Sequence, residues 1–316
     1  MLGNILSDTL VTGLPLIPVF LGIYLVLKIR EDFDLTVEGS FALGGAVTAV
    51  LLTGGLNPWL ALLLGTASGC LAGLVTSLLN LLLHIPVLMA GLVMTMALFT
   101  VTLRVLGMPT VSLVGAETIF SAFSTGRPSD LTMSLILAGI VVLVLGGFAL
   151  FLRTEIGLAL RASGVNARMV RSQGANDRQL LVLSLMISNG LAALGGGLAV
   201  QMQGYADVNM GGGIFIAGAG AVLLGMLLVN PGGSHVVRIV LAVLIGGLLY
   251  RLVLVSALRI GLPAGDLKGV TALTLVIAVT AQAYLAPALA RYRIRLRPHA
   301  PLTDSTPARE LEKSDA

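Results

Sequence analysis

Long apolar stretches, separated by short polar breaks, run along most of the chain. Between residues 35 and 103 the only acidic, basic or histidine residues are Glu38 and His84. A helix needs about 20 apolar residues to cross the ~30 Å hydrocarbon core of a bilayer. With charges, Pro58, Pro86 and the turn at 230–233 taken as boundaries, the pattern predicts nine spans, and eight or ten are the nearest alternatives. The predicted spans are 7–29, 39–53, 58–83, 86–104, 131–152, 180–202, 213–230, 236–257 and 269–290.

The composition supports an all-α polytopic membrane protein. Hydrophobic residues make up 56% of the chain and charged residues only 11%, with 39 glycines and a mean hydropathy of +0.99. A typical soluble domain carries roughly 25% charged residues. These values exclude an ordinary soluble enzyme, a disordered protein and a nucleic-acid-binding protein.

The distribution of Lys and Arg predicts the orientation. If the segment 153–179 is cytoplasmic, fourteen of the 19 basic residues fall on its side and five on the other, and cytoplasmic loops carry the excess of Lys and Arg. The C-terminus is then cytoplasmic and the N-terminus lies outside. The domain prediction is a transmembrane unit over 1–297, with the loop 153–179, and a disordered cytoplasmic tail over 298–316, which is rich in Pro, Ser and charge.

A short motif before the second predicted span returns before the seventh. Residues 34–40 read Asp-Leu-Thr-Val-Glu-Gly-Ser and residues 207–213 read Asp-Val-Asn-Met-Gly-Gly-Gly. The positions that coincide are Asp34 with Asp207, Gly39 with Gly212, Gly45 with Gly218, and Ala46 with Ala219. Segments five spans apart have opposite orientations, so this is an inverted repeat whose broken helices point to a transport path. The alternative is two unrelated Gly-rich helix starts that are capped by aspartate.

Glu38 lies at the start of a long apolar run. An ionisable group inside a membrane is a candidate functional residue by default. It is equally open to a second interpretation, an interfacial acid favoured by the dipole at a helix N-terminus. Both interpretations stay open at the level of the sequence.

Small and polar residues inside the spans predict helix packing. Gly65, Gly69 and Gly73 are four residues apart, so they share one helix face along which another backbone can approach. The pairs or runs Gly146–Gly147, Gly195–Gly197 and Gly246–Gly247 are interpreted in the same way. Asn80, Asn189, Gln201 and Gln203 are predicted to form hydrogen bonds between helices rather than to contact a ligand.

The longest predicted cytoplasmic loop carries a capped helix signal. Asn166 is a suitable N-cap for a short helix over 167–173, Gly174 suits the left-handed position that closes it, and Asp177 is suited to cap the next span. A helix of this length is not stable alone in water. It therefore docks on a partner, unless the segment is an ordinary basic loop.

The chain lacks sequence signals of its own energy source. Lysine occurs only at positions 28, 268 and 313, so no phosphate-binding loop with the G-x-x-x-x-G-K-[ST] pattern is present. The single Cys70 and three scattered histidines form no metal or nucleophile pattern. We predict a non-enzymatic membrane subunit without a cofactor. The alternative is an ion-coupled secondary transporter that acts alone, energised through Glu38, Asp34 and Arg104.

Several blocks together resemble one known family. They are residues 34–41, 91–98, 103–107, 160–174, 203–211, 250–253, 257–261 and 266–268. The sequence resembles the permease subunits of ABC importers in the branched-chain amino acid and ribose permease superfamily, and within it the tryptophan/tyrosine transport permease branch. The resemblance implies a homodimer in the lipid of a bacterial plasma membrane, an extracytoplasmic solute-binding protein, and cytoplasmic ATPase subunits that bind ATP and Mg.

The resemblance also implies two sets of site residues. A coupling helix over Gly164–Gly174 would insert into the ATPase, with these contact candidates: Arg161, Gly164, Asn166, Arg168, Met169, Arg171 and Gly174. The translocation path would run along the dimer axis, and its candidate residues are Asp34, Thr36, Glu38, Ser40, Asp207 and Asn209. The implied cargo is a small solute such as an amino acid.

Overall fold

The computed structural model of the chain describes residues 2–121, 129–229 and 236–295. Within these ranges the regular structure is almost entirely helical. The α-helices are α1 (Leu2–Gly13), α2 (Ile17–Tyr24), α3 (Thr36–Thr53), α4 (Pro58–Leu83), α5 (Val87–Leu106), α6 (Asp130–Arg153), α7 (Glu155–Val165), α8 (Ala167–Ser172), α9 (Asp177–Gln203), α10 (Ile214–Val229), α11 (Val236–Arg259) and α12 (Leu267–Arg295). Two short strands, β1 (Thr110–Ser112) and β2 (Tyr205–Asp207), form an antiparallel ladder that the sequence did not predict.

The prediction of about nine membrane-spanning helices is confirmed for the described residues. Eight helical segments are long and apolar enough to cross a membrane, and α10 is a ninth, shorter apolar helix. The predicted turn at 230–233 and the predicted disordered tail over 298–316 lie outside the described residues.

The first span is a composite of four helical segments. α1 and α2 are joined by a 3-10 turn, Leu14–Leu16, and α2 continues into a π-helical turn, Leu25–Arg30. Pro15 lies in the 3-10 turn and Pro18 near the start of α2, where a residue without an amide hydrogen costs little. Glu31 adopts a left-handed conformation (φ 62°) and ends the π turn. The first span thus departs from regular α-helix at the 3-10 turn and again at the π turn.

α9 is the helix on which α2, α3 and α4 pack. Gly22 of α2 lies against Ser188 of α9, and Gly195 lies against Val19, so the first span and α9 are antiparallel. We call the side that holds α7, α8 and the start of α9 the loop side. The opposite side, where α9 ends and the two strands pair, is the ladder side.

α3 and α10 run in opposite directions, as the repeat predicts. Ser40 bonds to Asn189, and Gly45 lies against Val200 further along α9, so α3 runs parallel to α9, towards the ladder side. α11 is antiparallel to the first span, since its residues Gly247 and Arg251 lie against Phe20 and Gly13. α10 is in turn antiparallel to α11, because Gly225 meets Ala242 and Gly246 meets Ala221. α10 therefore runs towards the loop side.

Most of the predicted glycine contacts are confirmed. Gly65, Gly69 and Gly73 of α4 lie against α3 and α9, and Gly196 lies against the backbone of Phe41. The runs 195–197 and 246–247 likewise meet neighbouring helices. The prediction for Gly146–Gly147 is wrong, because a Cβ added at either position would meet no described atom within 4 Å. α6 lies at the periphery, since only 28% of its most apolar 18-residue stretch is buried.

The predicted interhelical role is confirmed for Asn189 and wrong for Asn80 and Gln203. Asn80 donates to the carbonyl of Ile85 and so closes the turn after its own helix. Gln203 donates to the carbonyl of Tyr205, two residues away. Both side chains satisfy nearby backbone groups, which compete with partners on other helices.

Candidate functional site

Asp34 is the centre of a buried polar network at the start of α3. Its side chain accepts from Nδ2 of Asn189 over 2.7 Å and from the backbone amide of Thr36 over 2.8 Å. The side-chain oxygen of Asn189, Oδ1, accepts in turn from the hydroxyl of Ser40 over 2.7 Å. Asp34 is 1% exposed and forms no ion pair with any described residue. The network thus fixes α3 to α9 through a buried carboxylate that has no adjacent positive charge.

The network lies deep inside the molecule. Asn189 is twelve residues from the first residue of α9, a distance of about 18 Å at 1.5 Å per residue. The five residues between the π turn and α3, 31–35, therefore lead from Arg30, which lies beside Asp177, to Asp34, which lies beside Asn189. Thr36 continues the network to α4, with its hydroxyl 3.0 Å from that of Thr76. α3 still has 18 residues after this inward start and is among the helices long enough to cross a membrane.

Glu38 contacts the start of α10. Its Oε1 accepts from the amides of Gly213 over 3.1 Å and Phe215 over 3.4 Å. A carboxylate at a helix N-terminus satisfies amides that have no intrahelical partner and faces the positive end of the dipole. Glu38 therefore contacts a helix N-terminus, which agrees with the second of the two interpretations. The helix that it caps is α10, in the other half of the repeat, and not α3, to which it belongs.

A cavity of about 160 Å³ opens beside Glu38, between α3, α5 and the segment 208–212. Besides Glu38, its lining includes Thr95, Met96, Phe99 and Asn209. Thr95, Met96 and Phe99, all on α5, were not predicted as site residues. In the sequence they belong to an apolar span, although Thr95 and Met96 also lie in the block 91–98 that carries the resemblance. Of the predicted path residues, Glu38 and Asn209 line this cavity, whereas Asp34, Thr36 and Ser40 are buried behind it.

Asp207 lies at the ladder side, away from Asp34. It accepts from the Thr110 hydroxyl over 2.6 Å and from the amide of Asn209 over 2.8 Å. Asp34 and Asp207 thus make the same bond to the amide two residues on. The helix that follows each aspartate begins at a different point: α3 begins at Thr36, two residues after Asp34, whereas α10 begins at Ile214, seven residues after Asp207. The segment between Asp207 and α10 runs inward along α3, with Gly211 against Glu38 and Ala42.

The loop side presents a short capped helix. The Asn166 side chain accepts from the amides of Arg168 and Met169, both over 3.1 Å, and α8 follows as predicted. Gly174 adopts the predicted left-handed conformation (φ 87°). The prediction that Asp177 caps α9 is wrong, since the N-cap is Asn176. Helix α7, which precedes α8, was not predicted.

The candidate coupling residues divide into two groups. Asn166, Arg168, Met169, Arg171 and Gly174 are exposed. Arg161 donates to the carbonyls of Leu152 and Gly157, and Gly164 lies against the backbone of Ile29. The first group forms an outer surface, while Arg161 and Gly164 hold α7 to the rest of the chain.

An ion-pair cluster on the loop side was not found from the sequence. Arg30 donates to Asp177 over 2.6 Å, to the Ser163 hydroxyl over 2.7 Å and to Asp32 over 3.3 Å. Burial raises the pKa of Asp32, and the nearby Arg30 acts in the opposite direction. Asp177 also accepts from Arg171 of α8 over 3.4 Å. In the sequence Arg30 is only a charge at the end of a span, which indicates topology and not a partner 147 residues away.

Comparison with known proteins identifies relatives over most of the chain. Residues 5–280 match the family described as the branched-chain amino acid transport system permease component. A tyrosine transport system permease protein of Clostridioides difficile (strain R20291) is 32% identical over 81% of this chain and 84% of its own length. The ribose import permease protein of Escherichia coli (strain K12) is 28% identical over 78% of this chain and 76% of its own length. No solved structure matches the chain.

Proposed function

This chain belongs to the family of permease components of branched-chain amino acid transport systems, and from that premise we propose that it is the transmembrane subunit of an ABC importer for an amino acid or a similar small solute. ATP and Mg bind to separate ATPase subunits on the loop side, which is the cytoplasmic side. A solute-binding protein delivers cargo at the ladder side, and a second copy of the chain completes the path.

The observation that carries this proposal is the exposed surface around α8. Val165 is 86% exposed and Met169 45% exposed, and both lie beside the exposed Arg168 and Arg171. Apolar side chains flanked by arginine are the residue types enriched at protein interfaces. A helix of six residues gains little stability by itself, so its firm capping and its anchorage through Asp177 support a role as a docking element.

The test is purification of the permease together with its ATPase subunit. We expect Arg168→Glu to reduce the amount of ATPase retained at least about tenfold, because it places a negative charge on a surface that is otherwise basic and apolar. The matched control is Arg104→Glu, the same change on an exposed residue at the other end of the molecule. Equal retention of the ATPase by both variants would contradict the proposed docking surface.

The second candidate function is an ion-coupled carrier that works alone. It is favoured by Asp34, a buried carboxylate without a positive partner among the described residues, since such groups mark ion and proton sites in membranes. Liposomes that contain only this chain distinguish the two. Tyrosine uptake driven by a proton or sodium gradient without an ATPase supports the carrier, and its absence supports the ABC subunit.

A further inference from the structure

The two carboxylate oxygens of Glu38 have different surroundings. Oε1 accepts both hydrogen bonds from the start of α10, whereas Oε2 accepts none from any described residue. Glu38 also lines the cavity between α3 and α5. One oxygen is therefore engaged in structure, and the other is available to a ligand.

We propose that Glu38 Oε2 binds the ammonium group of the transported solute, while Oε1 holds the start of α10. This assignment rests on the proposed transport function and names the chemical class of the cargo: a small primary amine with an apolar substituent. A free carboxylate oxygen accepts hydrogen bonds from a cationic donor more strongly than from a neutral hydroxyl.

The rest of the lining fits that class. Met96 and Phe99 offer an apolar wall, which suits a hydrocarbon or aromatic substituent. The Thr95 hydroxyl already donates to the carbonyl of Leu35 over 2.7 Å. Glu38 is the one charged residue in the lining, so the cavity presents a single negative charge against apolar groups.

Lys268 is the positive group that competes for Glu38. It is exposed at the start of α12, acts on Glu38 electrostatically, and is not part of the cavity lining. No hydrogen bond or ion pair joins the two side chains among the described residues. The Glu38 carboxylate is thus influenced by Lys268 but not paired with it.

The two roles of Glu38 are separable by substitution. Glu38→Gln retains a carbonyl oxygen that can accept from Gly213 and Phe215 but replaces the charged oxygen by an amide NH2 group. Glu38→Ala removes both functions. If Glu38 has only a structural role, the Gln variant should keep ligand binding. If Glu38 binds the ligand, the Gln variant should lose the preference for an ammonium group.

The experiment measures binding of two probes to the full chain in lipid nanodiscs by isothermal titration calorimetry. The probes are L-tyrosinamide, which carries a free ammonium group, and N-acetyl-L-tyrosinamide, which has the same side chain without that charge. We expect the wild-type chain to bind tyrosinamide about tenfold tighter, the scale of one charge-assisted hydrogen bond. In Glu38→Gln the two dissociation constants should agree within about twofold. Glu155→Gln, a change at an exposed carboxylate on α7, should keep the wild-type preference.

Three results would overturn the assignment: equal binding of the two probes to the wild type, binding of neither probe, or a Glu38→Gln variant that keeps the preference. The proposed function is tested separately. If Arg168→Glu loses its ATPase as expected while the probes are not distinguished, the role of Glu38 fails and the transport function stands.

Discussion

The Arg30 guanidinium and the Asp177 carboxylate, 147 residues apart in sequence, meet over 2.6 Å at the loop side. The side chain of Arg30 is 9% exposed, so the pair is screened little by solvent. Because Asp177 also contacts Arg171, the pair connects the end of the first span with both α8 and α9. A displacement of α8 would therefore act on the first span as well as on the helices to which α8 is covalently joined, and under the proposed function an ATPase that docks there would cause such a displacement.

Removing the charge of Asp177 should destabilise the protein. In Asp177→Asn the buried Arg30 loses the closer of its two carboxylate partners. Breaking a buried ion pair lowers the free energy of unfolding by about 3 kcal/mol. The control is Asp8→Asn, since Asp8 pairs with Arg259 at an exposed site, where the loss should stay below about 1 kcal/mol. Unfolding by SDS titration in mixed micelles measures both. Similar losses in the two variants would contradict a special role for the Arg30 pair.

Asn189 and Asp34 should show strong coupling. Asn189→Ala leaves the Asp34 carboxylate buried with Thr36 as its remaining described donor, and a buried charge with fewer partners is costlier than a neutral group. Adding Asp34→Asn to that variant should therefore recover part of the lost stability, by about 1 kcal/mol or more. The same SDS titration applied to the single and double variants measures this sign. A double variant less stable than Asn189→Ala contradicts the interpretation.

Glycines on two helices should respond differently to a methyl group. A Cβ at Gly196 would fall on the carbonyl oxygen of Phe41, so Gly196→Ala must force α3 and α9 apart, at a cost of about 1–3 kcal/mol. A Cβ at Gly147 meets no described atom within 4 Å, so Gly147→Ala should be neutral or slightly stabilising. Thermal unfolding followed by size-exclusion chromatography compares the pair. Equal melting temperatures for the two variants would show that the α3–α9 contact is looser than described.

The Asn166 cap should control the order of α8. Asn166→Ala removes the acceptor for the amides of Arg168 and Met169, at a cost of about 1 kcal/mol. Hydrogen exchange of the amides in 167–172 should then become faster by roughly fivefold, and ATPase stimulation should fall if α8 is the docking helix. Asn166→Asp retains a capping oxygen and should restore slow exchange. Unchanged exchange in the Ala variant would mean that packing, not the cap, holds α8.

Much of the fold was predictable because it depends on local patterns. Apolar run length located the eight long apolar helices and the shorter α10 of the described residues, and the four-residue spacing of Gly65, Gly69 and Gly73 indicated a packed face. Asn166 and Gly174 marked the two ends of α8 by capping preferences that act within a few residues. The prediction failed at Gly146–Gly147, because the same local pattern occurs on a peripheral helix with no described neighbour at that face.

Part of the candidate site was also predictable. Asn189 was expected to bond between helices, and Glu38 was recognised as either functional or capping, but the partner in each case was not identifiable. Asp177 was predicted to cap α9, but the N-cap is Asn176. The Asp177 carboxylate binds Arg30 instead, and a partner so distant in sequence leaves no local signal.

The order of the amino acids was enough to determine that this is a helical membrane protein, which segments form its long apolar helices, and that α8 is a short capped helix, since hydropathy, charge and caps act over a few turns of one chain segment. The folded arrangement alone decided that Asp34 meets Asn189 and that Glu38 holds the start of α10 through Oε1. Those contacts join residues more than 140 positions apart, and their geometry depends on how several helices pack at once.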